Sequence, residues 1–125
     1  MVSNSTDRFN GVVASLAIKA PCKAVAVGNI TLSGTQTVDG FACVSGDRVL
    51  CIGQTNAQEN GIYNVSSSAW QRAADWDGNR DIVKGTLVPV DHSSGSFRQY
   101  QVSTANPIVI GTDTVSFVLF YDAGA

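Results

Sequence analysis

The densest run of side chains able to do chemistry is Asp75-Trp76-Asp77-Gly78-Asn79-Arg80-Asp81. Oxygen-bearing groups recur at every second residue, as at the start of a calcium loop. An EF-hand loop also requires glycine at position 6 and a bidentate glutamate at position 12; Arg80 and Thr86 stand there instead. The run therefore reads as an aspartate-rich connection between strands, its carboxylates capping turns, with Arg72 and Arg80 near enough in sequence to pair with them. Asp75, Trp76 and Asp77 together form the one candidate ligand loop, since carboxylates beside an aromatic ring are what a sugar site uses. Hydrolysis of a glycosidic bond needs two carboxyl groups held apart across the substrate, and a spacing of two residues does not establish that separation. Trp70 and Trp76 offer stacking surface for a carbohydrate, although tryptophan in strands more often fills cores and interfaces.

The single histidine, His92, lies in an Asp-His-Ser-Ser-Gly context. No nucleophile elbow or flanking glycine motif accompanies any of the thirteen serines, so a polar turn is the better reading than a triad. Cys22, Cys43 and Cys51 fit neither paired zinc ligands nor a redox pair, and their odd number argues against a disulfide framework. They read as small buried apolar side chains. No catalytic residue, metal or cofactor is assigned, and no enzymatic activity is expected.

The elements that would position these residues are short. Phe9, Val12, Val13 and Leu16 recur at the spacing of one helical face, which predicts a short N-terminal helix within an arm of residues 1–20. Pro21 stops it. Too short to be stable alone, such a helix must bury its apolar face against its own domain or a neighbouring chain. Residues 21–125 then read as one β domain, an antiparallel β-sandwich or barrel. Expected strands are 24–27, 30–32, 38 with 41–44, 48–52, 61–66, 69–72, 82–83, 86–90, 97–102, 107–110 and 115–121. Asn60-Gly61 offers the positive φ of a tight turn, and Pro89 suggests an edge strand or a bulge because proline cannot donate to a ladder. The last run, Val115 to Tyr121, is apolar on both faces, which predicts cover on both sides. In so small a domain the second cover is often another subunit. Phe117, Leu119 and Tyr121 thus join Phe9, Val12, Val13 and Leu16 as interface candidates.

Composition agrees with this class. Sixteen Val and seven Ile stand against five Leu, with one Glu in the chain, a balance that favours pleated surfaces over helices. Hydrophobic residues make up 44% and charged residues 14% of the 125, enough apolar material for one packed domain. A net charge of −2 leaves no basic surplus for phosphates, so nucleic acid is not an expected partner. No apolar stretch reaches the roughly 20 residues that cross a bilayer, and no basic region precedes an apolar one at the N-terminus, so synthesis in the cytoplasm without membrane insertion is expected.

Three central segments are familiar: Gly46-Asp47-Arg48-Val49-Leu50; Gln54-Thr55 with Glu59-Asn60-Gly61-Ile62-Tyr63; and Trp70-Gln71-Arg72-Ala73-Ala74-Asp75. They resemble a β domain recurrent in tail-fibre and other virion structural proteins of tailed bacteriophages and prophages. The resemblance extends to Phe9-Asn10-Gly11, Ile18-Lys19-Ala20-Pro21, Asn29 to Gly34, Val83 to Val88 and Pro107 to Thr112, nearly the whole chain in order. It implies a virion protein without turnover that assembles into symmetric oligomers, homotrimers first among them, and binds other phage virion proteins. A small tail- or fibre-associated adaptor or knob is the leading expectation. A capsid decoration protein, a carbohydrate-binding tip that recognises a host surface glycan, and a polysaccharide hydrolase are the competing ones.

Overall fold

A computed structural model describes residues 18–78, 82–93, 96–105 and 108–122. Among these residues the β-forming runs pair as nine strands: β1 (Cys22–Ala26), β2 (Thr37–Val38), β3 (Phe41–Ala42), β4 (Arg48–Cys51), β5 (Gly61–Asn64), β6 (Gln71–Arg72), β7 (Leu87–Ser93), β8 (Ser96–Val102) and β9 (Phe117–Asp122). Single 3-10 turns at Ala57–Glu59 and Ala74–Trp76 are the helical elements among the described residues. The helix expected over residues 9–16 lies outside them.

Seven strands form one sheet in the order β6-β5-β4-β1-β7-β8-β9, and β2 and β3 form a separate hairpin. Asp39 and Gly40 turn that hairpin with φ of 51° and 80°, the paired positive angles of a two-residue turn that matches the twist of its strands.

The sheet is mixed rather than antiparallel. β1 runs parallel to β4 on one side and to β7 on the other, while the remaining neighbours are antiparallel. Parallel neighbours need a long crossover, and residues 27–47, which carry the β2–β3 hairpin, supply it between β1 and β4. Ala24-Val25-Ala26 and Val49-Leu50-Cys51 are unbroken apolar runs, the sequence mark of strands covered on both faces.

Two cores provide that cover. Val25, Leu50 and Ile62 stand opposite one another in register and pack with Ala73, Trp76 and Ile82 in the first core, which continues under β7 and β8 through Val88, Val90, Tyr100 and Val102. Ala24, Val49 and Tyr63 form the alternate row and pack with Val38, Cys43, Val65 and Trp70 in the second.

Several expected strands are shorter or absent. Ile30 and Leu32 pack on the second core without joining a strand. Ile82 is a buried plug of the first core, and residues 109–112 turn, with Asp113 Oδ2 accepting from the Val109 amide at 2.8 Å. Pro89 is not at an edge, since β7 lies between β1 and β8; the same strand instead shifts register between Val90 and Ser93. The sheet also begins earlier than residue 21: Ile18 bridges Leu87, and the Lys19 amide donates to the Leu87 carbonyl at 2.9 Å.

Candidate functional site

Several residues of the familiar central segments do framework work. The Gln54 amide accepts from the Ile30 N–H at 2.9 Å and donates to the Ile30 carbonyl at 3.1 Å, replacing a neighbouring strand for that residue. Buried Asn60 accepts from the Gln54 backbone N–H at 2.9 Å and donates to the Val115 carbonyl at 2.9 Å, tying the loop after β4 to the approach of β9. Arg72 donates to the Gln58 carbonyl at 2.8 Å and lies 5.2 Å over the Tyr63 ring. Trp70 Nε1 donates to the Gly34 carbonyl at 2.9 Å, closing the second core. Side chains held in this way have little left to offer a ligand.

The candidate ligand loop divides. Trp76 is wholly buried at the centre of the first core, stacked 5.8 Å from the Phe117 ring, so it presents no face to a sugar. Asp75 receives both ends of the Arg48 guanidinium at 3.0 Å each. This two-pronged ion pair joins β4 to the 3-10 turn at Ala74–Trp76 and occupies the carboxylate. Asp77 is exposed. Asn79, Arg80 and Asp81, the rest of the calcium-like run, lie outside the described residues. Stacking by Trp70 is likewise closed off by its burial.

His92 points Nε2 at the Asp39 carbonyl, 2.8 Å away, with Phe41 alongside at 5.8 Å between ring centroids. A carbonyl only accepts, so Nε2 carries a proton and pins the β2–β3 hairpin to β7. The three cysteines are free and buried. Burial pushes the Cys22 and Cys51 thiols up to about 12, and raises Cys43 too; a thiol so placed stays protonated and unreactive. Among the described residues no group of three or more His, Cys, Asp or Glu is placed to hold a metal ion, and no helix is long and apolar enough to cross a membrane.

What remains is a surface. β9 is the edge strand of the sheet, and Val118, Leu119, Phe120 and Tyr121 are 48%, 50%, 56% and 51% exposed. Register places them. Phe117 and Leu119 stand opposite Val102 and Tyr100, which face the first core, while Val118 stands opposite Gln101 on the other side. A bulge then intervenes, so that Tyr121 stands opposite Gln99 and shares the face of Val118. Phe97 lies on that same face, its ring 6.2 Å from Tyr121. Arg98 pairs with Asp122 at 3.0 Å on the opposite side, which leaves the face of Phe97, Gln99, Gln101, Val118 and Tyr121 without charge.

Of the interface candidates on β9, Leu119 and Tyr121 are exposed, while Phe117 is half-buried and packs on the first core. Phe9, Val12, Val13 and Leu16 lie outside the described residues. Phe97 and Val118 are hard to find from sequence because β8 alternates only weakly and because a bulge reverses which side chains of β9 share a face. Comparison with known proteins returned nothing: no family model, no curated protein and no solved structure matches the chain.

Proposed function

We propose that the chain is a bacteriophage virion structural protein, a small tail- or fibre-associated adaptor or knob that acts by protein-protein assembly. One observation carries this reading: an edge strand with four consecutive large apolar side chains about half exposed, bordering a sheet face whose residues Phe97, Gln99, Gln101, Val118 and Tyr121 carry no charge. Exposed edges of this kind invite pairing or docking, and proteins that do not use them protect them with lysine, proline or a covering element. β9 carries no lysine or proline.

The phage resemblance supports the same reading in a specific way. Gln54, Asn60, Gly61, Tyr63, Trp70, Arg72 and Asp75 hold the fold together, so a domain sharing them shares a scaffold, with its variable business left to exposed surface. Among the described residues, the sheet is covered on both sides at β1, β4 and β5 but on one side at β8 and β9. A complete two-layered sandwich is then reached only in the assembled particle, where copies of this chain, as a homotrimer, or other virion proteins supply the missing layer. Host glycan recognition would fall to exposed loops such as that of Asp77, since both tryptophans are buried.

The test is to locate the protein on purified phage particles, intact and stripped of tails. Loss with the tails supports the adaptor reading; retention on tail-less capsids points to capsid decoration; absence from both overturns the virion assignment.

A further inference from the structure

The uncovered sheet face starts where the described chain starts. Ile18 bridges Leu87, Leu87 stands opposite Gln101, and Gln101 stands opposite Val118. These four residues form one row across the sheet, about 14 Å from end to end at roughly 4.8 Å per strand spacing. Ile18 at one end is 60% exposed and Val118 at the other 48%; Phe97 and Tyr121 extend the same face. None of the six side chains is charged. The seventeen residues before Ile18 carry Phe9, Val12, Val13 and Leu16 at helical spacing, an uncharged stripe as well. Eight residues of helix measure about 12 Å, close to the length of the row.

We propose that the N-terminal segment of one copy docks its Phe9, Val12, Val13 and Leu16 stripe on the β7–β9 face of a neighbouring copy. Docking on the chain's own face would leave a single residue for the turn. Ile18 and Lys19 are already held alongside β7, so Ala17 alone separates them from Leu16. Reversing onto the face takes a four-residue turn, and connections between packed elements commonly run to two or more residues. A contact between one region of a subunit and a different region of the next is head-to-tail and closes into a ring when the rotation allows. This inference rests on the assembly reading and adds which segment meets which surface.

Two full-length variants test it. Val118→Asp places a charge on the face but leaves the segment intact; Val12→Asp does the reverse. At a concentration where the wild type is oligomeric, light scattering is expected to give each variant alone the mass of one chain, 13.1 kDa. Mixed in equal amounts they are expected to form a two-chain complex, since one copy still offers a segment and the other a face. Emission from buried Trp70 and Trp76 reports that both are folded, and Gln101→Lys replaces Val118→Asp if the latter is not. An oligomer of Val12→Asp alone, an oligomer of Val118→Asp alone, or a mixture that stays monomeric overturns the docking but leaves assembly standing. A monomeric wild type overturns both.

Discussion

Gly61 has no side chain because the indole of Trp76 occupies that place. A Cβ built on Gly61 would collide with Nε1 and Cδ1 of Trp76 and approach Arg72 Nη1 to 2.9 Å, and the residue's φ of 147° is itself one that side chains seldom adopt. The start of β5 and the largest ring of the first core are thus fitted to each other, and the glycine of the Asn-Gly pair answers to packing.

Gly61→Ala is therefore expected to lower stability by about 3 kcal/mol, combining overpacking with a disfavoured backbone angle. For a domain of this size the melting temperature should fall on the order of 10 °C. Gly28→Ala is the control: a methyl group there would meet nothing within 4 Å, and the residue's φ is not positive, so its melt should match the wild type.

Asp75→Asn keeps the shape of the side chain but removes the charge that two Arg48 nitrogens grip at 3.0 Å. A loss of about 1–3 kcal/mol is expected, as for a part-buried charge-assisted pair left incomplete. Asp77→Asn, at an exposed position, should cost less than Asp75→Asn. Neither should alter reducing-sugar release from surface polysaccharide. A joint loss of such release without a change in melting would restore the hydrolase reading.

These two cases show what the sequence could and could not reveal. The β class and most strand positions were legible because β-branched runs and turn residues act locally; the tight turn expected at Asn60-Gly61 is not formed, since Asn60 is extended and Gly61 opens β5. The partners of Asp75 and Trp76 were not, because Arg48 lies 27 residues from Asp75 and Phe117 still further from Trp76, distances that pattern alone does not bridge. The parallel pairing of β1 runs against the antiparallel sheet expected; its unbroken apolar run asks only for cover on both faces, and the same pattern at Val115 to Tyr121 marks an edge. Continuous hydrophobicity reports a demand for cover on two sides; whether the chain itself meets that demand depends on topology.

Burial of the thiols predicts a pH response. Cys22 and Cys51 are raised from near 9.0 to about 12, and burial raises Tyr63 as well. Between these values the folded chain holds protons that the unfolded chain releases. The associated stability is complete below pH 9 and declines as pH rises toward 12, by roughly 1 kcal/mol per thiol per pH unit. Denaturation midpoints at pH 8 and pH 10.5 should show the fall, and Cys22→Ala with Cys51→Ala should flatten it. A thiol reagent at pH 8 should find no reactive cysteine until denaturant is added.

The strongest contrast on a single strand is between Phe117 and Tyr121. Phe117 packs against Trp76 and the first core, while Tyr121 lies beyond the bulge with its ring toward Phe97 on the uncovered face. Phe117→Ala should cost about 3 kcal/mol of folding stability through the cavity it leaves. Tyr121→Lys should leave the unfolding free energy of the dissociated chain within about 0.5 kcal/mol, since a lysine on exposed sheet disturbs no packing. Its effect should appear in self-association, because a charge on this face must be desolvated when the face is covered. Light-scattering mass should therefore fall toward that of a single chain for Tyr121→Lys at wild-type concentrations. If that variant instead associates as the wild type does, the β8–β9 face takes no part in assembly and another surface must carry it.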